Sequence, residues 1–271
     1  MSLQPRTAPA ISQGWLRATI LLVIFVSVSL GAGFFVSSFE IWAAINVVIS
    51  IALVYLFRKH IDKKSFKSIG LDFSKLYPDA VVGAFLGIFL VSAGALLIFY
   101  LRGIEWIDIV PNMRELFTTA VVLLMVAFYE EIVFRGYVLR NMMKSFNKWL
   151  ALFISALLFT LVHASNPGVP WTGLLNTFLG GMLIGITYIN TRSLWLPVCF
   201  HFTWNFIQGP IIGFHVSGIS FTSLFILETK GNSLVSGGEY GFEGSLVSSF
   251  FLLAAFSIWG YFESKRSHSG Y

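Results

Sequence analysis

Residues 15–36 read WLRATILLVIFVSVSLGAGFFV, and this apolar stretch decides the class of fold. A run of this length can cross the hydrocarbon core of a bilayer as one α-helix, which takes about 20 apolar residues. The run is too long for the apolar region of a secretory signal peptide, and no small-residue cleavage site clearly follows it. We therefore expect a retained membrane-spanning helix at this position.

The composition of the whole chain also indicates a membrane protein. Of the 271 residues, 56% are hydrophobic and only 11% are charged, whereas ordinary soluble domains carry about 25% charged residues. Such a chain could not cover a water-exposed surface, which excludes a soluble globular protein and a disordered chain. The single cysteine, Cys199, cannot form an internal disulfide, which excludes a disulfide scaffold.

Seven further apolar runs follow the first one. We therefore predict an all-α, polytopic integral membrane protein with about eight transmembrane helices in one bundle. Residues 1–271 would form a single membrane domain, whose motif-bearing core covers about residues 115–210. The predicted later helices cover residues 41–57, 79–101, 115 into the 130s, 149–164, 171–189, 194–214 and 245–262. Between them we predict an interfacial segment (58–75), a basic amphipathic segment (135–148) and a loop or partly re-entrant segment (215–244).

The lysines and arginines predict an orientation in the membrane. With a cytoplasmic N-terminus, all but three of the 18 basic residues fall on the cytoplasmic side, in agreement with the positive-inside rule. The three exceptions are Arg102, Arg114 and Lys230, and the cytoplasmic set is Arg6, Arg17, Arg192, Lys265, Arg266 and those in residues 58–75 and 135–148. Eight spans then leave both termini in the cytoplasm. This placement accounts for the net charge of +5, so we expect no nucleic-acid partner.

Two adjacent acids and an arginine lie inside an apolar span. Glu130, Glu131 and Arg135 fall late in the fourth predicted helix, where ionisable side chains are costly and are functional candidates. Glu131 and Arg135 are four residues apart with the acid first, the favourable order for an ion pair that neutralises both charges. Glu130 is rotated by roughly 100° around the helix axis and lacks this partner. It could be a general base, or a protonated buried glutamate bonded to a carbonyl.

Two histidines and an asparagine lie in later spans. His163 is near the end of the fifth predicted helix, and His201 and Asn205 share one face of the seventh. Each alone also fits a structural role, such as a satisfied buried histidine or an interhelical hydrogen bond. Together with Glu130 they are nearly all the strongly polar side chains of these spans, so we expect them to converge inside the bundle. Glu130 and one histidine could activate a water molecule, while the other histidine and Asn205 could donate to a developing oxyanion.

In their order and spacing these residues resemble the CAAX prenyl endopeptidase and bacteriocin-processing (CPBP, or ABI) family of intramembrane proteases. The family pattern is Glu-Glu-x-x-x-Arg, then Phe-x-x-x-His, then His-x-x-x-Asn or His-x-x-x-Asp. This chain has Glu130-Glu131-x-x-x-Arg135, Phe159-x-x-x-His163 and His201-x-x-x-Asn205, each in an apolar span. Residues 238–245, GEYGFEGS, also look like the bacterial members.

The resemblance implies an eight-helix fold around an internal, conical cavity that opens to the cytoplasmic side. It implies that Glu130 and His163 activate the water and that His201 and Asn205 form the oxyanion site, with Glu131 and Arg135 as supporting residues. Both metal-dependent and metal-free glutamate mechanisms have been argued for the family. We favour a site without a cofactor, and zinc held by Glu130, His163 and His201 is the alternative.

The resemblance also implies an endopeptidase whose partners are membrane lipid and a membrane-anchored peptide or protein. The substrate could be a prenylated CAAX-type protein or a precursor peptide, and the oligomeric state is not readable from the sequence. Two rival functions stay open. A transporter or proton-coupled carrier could use the glutamate and histidines as a relay, although the chain shows no internal repeat. A family member without activity could act as an immunity factor or a scaffold.

Helix geometry adds two expectations. Gly83-x-x-x-Gly87 and Gly181-x-x-x-Gly185 should allow close helix packing within the monomer. Counted from the cytoplasmic helix ends, His163 would lie about 20 Å deep and Glu130 only about 10 Å deep. We therefore expect the fifth helix to be offset, and a separation of these two side chains above about 10 Å would exclude joint catalysis.

Overall fold

The structure is a computed structural model that describes residues 8–268. Arg6 and both chain ends, for which a cytoplasmic location was predicted, lie outside the described residues, as does the side chain of Arg266.

The described chain is mostly helical and contains eight long helices. They are α1 (Gly14–Phe35), α2 (Phe39–Leu56), α3 (Leu76–Tyr100), α4 (Met113–Glu131), α5 (Lys148–His163), α6 (Trp171–Thr191), α7 (Trp195–Phe206) and α8 (Leu246–His268). Three of them continue as π-helix: α2 through Phe57–Ile61, α4 through Ile132–Leu139 and α7 through Ile207–Ile211. After its π-helix, α4 ends with an α-helical turn at Arg140–Met142. Short helical turns occur at Phe66–Ile69, Phe73–Lys75, Ser233–Ser236, Gly238–Tyr240 and Phe242–Gly244.

Within residues 8–268, five helices are long and apolar enough to cross a membrane. They are Gly14–Phe35, Phe39–Ile61, Phe73–Tyr100, Met113–Met142 and Trp171–Thr191. Two more apolar helices, Lys148–His163 and Leu246–Phe262, are shorter. The 16 residues of α5 span only about 24 Å, less than the hydrocarbon core of about 30 Å. The helical, multi-pass architecture is therefore confirmed, whereas the predicted count of about eight spans is not.

The described residues also include two β-strands, so the prediction of an all-α fold was incomplete. β1 (Ile104–Ile109) follows α3, and β2 (Phe225–Thr229) lies in the segment predicted as a loop or re-entrant segment. The strands pair antiparallel, and Lys230 bonds to Glu105 across the pair. This hydrogen bond is the main cause that raises the pKa of Lys230. In β1, whose sequence is IEWIDI, apolar and acidic residues partly alternate, which is the pattern of a strand. This short pattern lies between the long apolar runs of α3 and α4 and was therefore not recognised.

One end of the bundle gathers the basic segments. Tyr188 Oη of α6 donates to Ile69 O at 2.7 Å, which joins α6 to the chain between α2 and α3. Trp15 N donates to Ser145 Oγ at 3.1 Å, which adds the start of α1 and the turn between α4 and α5. We call this the basic end, and its cations are Arg17, Arg58, Lys59, Lys63, Lys64, Lys67, Lys75, Arg140, Lys144, Lys148 and Arg192.

The opposite end, which we call the strand end, carries β1, β2 and residues 212–245. Trp106 Nε1 in β1 donates to Ile212 O at 3.1 Å, so the chain after α7 lies against the strands. The turn between α5 and α6 lies here as well, because a Cβ on Gly218 would come within 2.3 Å of Pro167 O. The bundle therefore has two chemically different ends.

One segment differs from its prediction. Residues 135–148 were expected to form a basic amphipathic segment after the fourth helix, but α4 continues through them as far as Met142. Arg135 is only 1% exposed and lies inside the bundle, because Glu131 neutralises it there. Arg135 therefore does not contribute to the surface charge of the basic end.

Both glycine motifs serve close packing within the monomer, as predicted. A Cβ on Gly87 would lie 2.2 Å from Thr203 Oγ1, so α3 and α7 can approach only because Gly83 and Gly87 have no side chain. A Cβ on Gly181 of α6 would lie 3.2 Å from Ala156 Cβ of α5. These contacts hold α7 against α3 and α6 against α5, and these helices carry side chains described next.

Candidate active site

The first element of the site is an ion pair in α4. Glu131 is completely buried, and its Oε1 lies 2.8 Å from Arg135 Nη1, which is the pair predicted from the sequence. The helix becomes π-helical directly after Glu131, and such widened turns are frequent at functional sites. Removing either partner would leave an uncompensated charge in an apolar interior.

His201 of α7 is a second partner of Glu131, which the sequence did not reveal. Its Nδ1 lies 2.9 Å from Glu131 Oε1. A carboxylate can only accept, so Nδ1 carries a proton and donates it to this hydrogen bond. The bond orients the imidazole ring and leaves Nε2 free to face Glu130. The two residues are 70 positions apart on different helices, so spacing along the chain could not predict the contact.

Glu130 lies between the two histidines. Its Oε2 is 3.9 Å from His163 Nε2 and 3.8 Å from His201 Nε2. In the part of the chain that the structure describes, Oε2 has no hydrogen-bond partner. Three of the four residues expected to converge therefore lie together, and Glu130 and His163 are well inside the limit of about 10 Å for joint catalysis. Their separations leave room for one small molecule to bridge the carboxylate and an imidazole.

His163 is held in one orientation by its own helix. Its Nδ1 lies 2.8 Å from Phe159 O, and because a carbonyl oxygen only accepts, Nδ1 is the protonated nitrogen. The Nε2 atom of His163 is then an acceptor that faces Glu130. The four-residue spacing of the Phe-x-x-x-His motif thus has a geometric reason, since it places the carbonyl one turn before the imidazole.

The ring of Phe159 forms a packing surface for three polar groups. The Arg135 guanidinium lies over it at 4.5 Å from the ring centroid, which is a cation–π contact. The imidazole of His163 packs on it at 4.3 Å between ring centroids, and that of His201 meets it edge-on at 6.3 Å. Phe159 therefore packs against one residue from each of the three motifs and positions them relative to one another.

Glu130, Phe159, His163 and His201 line a cavity of about 320 Å³ in the bundle. Most of its wall is apolar, with Phe25, Trp42, Leu123 and Phe159 among the lining residues. Asn205 is 6% exposed and lines the same cavity. Among the described residues its side chain makes no hydrogen bond to Glu130, Glu131 or either histidine. Asn205 is thus brought to the cavity, but it is not part of the connected cluster.

Glu243 is a polar cavity residue that motif reasoning left without a role. Its Oε1 accepts from Trp204 Nε1 at 3.1 Å. Its Oε2 accepts from Ser217 N at 2.9 Å and from Ser217 Oγ at 2.6 Å. Glu243 therefore ties the loop after α7 to the helix that carries His201 and Asn205.

A glycine-rich turn holds Glu243 in place. Asn176 Nδ2 of α6 donates to the carbonyl oxygens of Glu243 and Ser245, both at 2.7 Å. Gly241 has a φ of +89°, and a Cβ there would lie 1.9 Å from His215 O, so no other residue fits. The sequence signals for this turn were the predicted loop or re-entrant segment at 215–244 and the likeness of residues 238–245 to bacterial family members.

The residues present do not form a metal site in this conformation. Among residues 8–268, no group of three His, Cys, Asp or Glu side chains is arranged so that it could hold a metal ion. The proposed zinc ligands Glu130, His163 and His201 lie near each other but do not meet this geometry. The site without a cofactor stays a prediction, with zinc as its alternative, and no step below is routed through a metal.

The comparisons with known proteins agree with the site. No curated protein sequence matches the chain. Residues 112–207 match the family model described as Type II CAAX prenyl endopeptidase Rce1-like, and this segment contains Glu130, Glu131, Arg135, His163, His201 and Asn205. The resemblance seen in the three motifs is thereby confirmed, because this segment of the integral, multi-pass membrane protein is similar to the Rce1-like CAAX-type intramembrane proteases.

Proposed function

We propose that the chain is an intramembrane endopeptidase that hydrolyses a peptide bond of a membrane-associated substrate. One observation carries this proposal: Glu130 Oε2 lies within 4 Å of the Nε2 atoms of both His163 and His201, at the wall of an apolar cavity. A carboxylate and two oriented imidazoles in a largely apolar site are sufficient for general acid–base hydrolysis. The match of residues 112–207 to a protease family points to the same class of reaction.

Glu130 and His163 would activate the water. A water molecule between them donates one hydrogen bond to Glu130 and the other to His163 Nε2, which the bond from Nδ1 to Phe159 O keeps as an acceptor. Glu130 takes a proton as the water oxygen bonds to the substrate carbonyl carbon. The carbonyl π electrons move to oxygen, and the tetrahedral intermediate forms. Glu130 then returns the proton to the amide nitrogen as the C–N bond breaks, which yields a carboxylic acid and an amine.

His201 and Asn205 would stabilise the oxyanion. Because His201 Nδ1–H already donates to Glu131, its Nε2 can donate to substrate only if the ring carries both protons. Such an imidazolium, together with Arg135, balances the two carboxylates Glu130 and Glu131. The cluster then has no net charge, the state that a low-dielectric interior favours. We assign Glu131 and Arg135 a positioning role, because they hold His201 and do not face the cavity.

The decisive test is a pair of matched substitutions in purified protein reconstituted into liposomes. Glu130→Gln keeps the size of the side chain but removes the base, and we expect cleavage of a panel of anchored peptides to fall about 100-fold to 10,000-fold. Glu115→Gln, on the exposed start of the same helix, should leave cleavage unchanged. Survival of cleavage in Glu130→Gln would rule out Glu130 as the base. Uptake of a solute by the same liposomes, with no peptide cleaved, would favour the carrier.

Metal dependence has its own test. We expect a strong chelator to leave peptide cleavage unchanged, because the described donors do not form a site for a metal ion. The measurement is the cleavage rate before and after dialysis against the chelator and after zinc is added back. Complete loss that zinc restores would replace the metal-free mechanism by a zinc mechanism.

A further inference from the structure

The cavity extends to the strand end of the bundle, and its exposed lining residues there form its mouth. Its lining includes Ser165 and Asn166 after α5, Phe221 after α7, and Glu243 before α8. Ser165 is exposed, as is the lining residue Leu30 near the strand end of α1. The shortness of α5 creates this space, because α5 ends at His163, well before it could cross a membrane.

Toward the basic end the cavity is closed by side chains. Phe134 forms part of the cavity wall and is 1% exposed, and Tyr137, one turn further, is completely buried. Beyond them, Asp62 binds Arg17 and Arg58, each at 2.7 Å, in a buried ion-pair cluster. Two layers of well-packed side chains therefore separate Glu130 from the basic end.

The charges of the two ends differ. In the described part of the chain, the loops of the strand end contain three basic residues, Arg102, Arg114 and Lys230, whereas the other surface cations lie at the basic end or near the end of α8. Positively charged loops stay in the cytoplasm when a membrane protein is inserted. This rule places the basic end in the cytoplasm, and the strand end with the cavity mouth on the other side.

We propose that the active-site cavity opens to the non-cytoplasmic face of the membrane. The expectation of cytoplasmic basic segments and the expectation of a cytoplasmic cavity cannot both hold in this fold, since the two features lie at opposite ends. We retain the first, because it follows from this chain's own charges, whereas the second came from the family resemblance alone.

The substrate class follows if the proposed protease function holds. A prenylated C-terminus produced in the cytoplasm would have to cross the bilayer to reach Glu130. The fitting substrate is instead an exported or translocated peptide that stays anchored in the membrane by an apolar segment or an acyl chain. The aromatic wall of Phe39, Trp42 and Phe221, whose rings lie against each other, suits such an anchor.

Cysteine labelling in intact cells tests the location without any assay of activity. Starting from Cys199→Ala, which removes the single native cysteine, the variants Ser165→Cys and Ser220→Cys mark the strand end, and Lys67→Cys and Lys144→Cys mark the basic end. Each is treated with a membrane-impermeant maleimide before and after permeabilisation. We expect full labelling of Ser165→Cys and Ser220→Cys in intact cells, and background labelling of the other two until the cells are permeabilised.

The reverse pattern, or equal labelling of both ends in intact cells, would overturn the proposal. The two markers at each end keep the result interpretable if one position is occluded. The outcome is also separate from that of the protease proposal. Cleavage together with reversed labelling would sink the location alone, whereas the expected labelling without cleavage of any anchored peptide would sink the protease function alone.

Discussion

Glu130 and Glu131 are neighbours in the sequence, but their side chains have different surroundings. Glu131 is completely buried and shared between Arg135 and His201, so both of its partners depend on it. Glu130 faces two imidazole nitrogens across the edge of a cavity. In the proposed mechanism, a rotation of about 100° around the helix axis separates the positioning carboxylate of Glu131 from the reactive carboxylate of Glu130.

A first prediction concerns the stability of this cluster. Glu131→Gln should destabilise the protein by about 3–5 kcal/mol, because Arg135 would become an uncompensated buried charge. Thermal unfolding in detergent measures the effect, and the isosteric Glu130→Gln is the matched control whose midpoint should stay close to that of the parent. The double variant Glu131→Gln with Arg135→Met should recover part of the lost stability. Equal midpoints for the two glutamine variants would contradict this assignment.

A second prediction concerns Phe159, which contacts Arg135, His163 and His201. Phe159→Leu keeps an apolar side chain but removes the flat surface on which the imidazoles rest. We expect kcat to fall by about 10-fold to 100-fold with little change in KM, since the positioning of reacting groups is lost and substrate contacts are kept. Phe153→Leu, on the exposed face of the same helix, is the control. A fall of equal size in both variants would indicate general destabilisation.

At the scale of elements, apolar runs predicted the long helices but not how they end. The apolar run from residue 115 into the 130s correctly predicted α4. The continuation of this helix to Met142 depends on the burial of Arg135 against Glu131, which is a tertiary contact. The pairing of β1 with β2 likewise joins segments more than a hundred residues apart. Local periodicity cannot predict such partners, because the energy comes from contacts between distant parts of the chain.

The same limit applies to the candidate site. Motif order predicted Glu130, His163 and His201, and the scarcity of other polar groups in these spans predicted that they meet. The bond from His201 to Glu131 and the bonds of Glu243 to Trp204 and Ser217 were beyond prediction. Each of these contacts depends on how two helices or a helix and a loop are rotated relative to one another.

A third prediction tests how α3 positions α7. Gly87→Ala would place a Cβ 2.2 Å from Thr203 Oγ1 and 2.7 Å from Phe200 O, so α7 must shift along with His201. We expect a destabilisation of about 1–3 kcal/mol, accompanied by a fall in kcat. Gly31→Ala in α1 is the matched control, since nothing lies within 4 Å of the added Cβ. Unchanged stability and activity of Gly87→Ala would show that the interface can relax, and that α3 does not set the position of His201.

At the scale of the whole molecule, the surface charge and the position of the cavity both differ between the basic end and the strand end of the bundle. The basic end is rich in cations and is filled by buried side chains, whereas the strand end has few cations and contributes exposed residues to the cavity lining. Sequence alone gave the distribution of charge. The sequence could not predict which end of the bundle the cavity extends to. That depends on where α5 ends relative to the longer helices and on which side chains fill the space between Glu130 and the basic end.

A fourth prediction follows from this difference in charge. If the proposed orientation is right, neutralising the basic end by Lys59→Gln, Lys64→Gln, Lys67→Gln and Lys144→Gln should weaken the charge bias that keeps this end in the cytoplasm. A measurable fraction of molecules should then insert the other way round. The measurement is maleimide labelling of Ser165→Cys in intact cells, which should fall below the level of the parent and recover on permeabilisation.

The control neutralises the strand end instead, by Asp108→Asn and Glu115→Gln. Acidic residues contribute little to membrane orientation, so labelling of Ser165→Cys should stay at the parent level in this variant. An equal loss of labelling in both variants would mean that folding defects, and not charge, control access to the position. Full labelling that persists in the lysine variant would mean that the first span or the remaining arginines already fix the orientation. The orientation of the protein in the membrane would then depend on fewer basic residues than the whole set at the basic end.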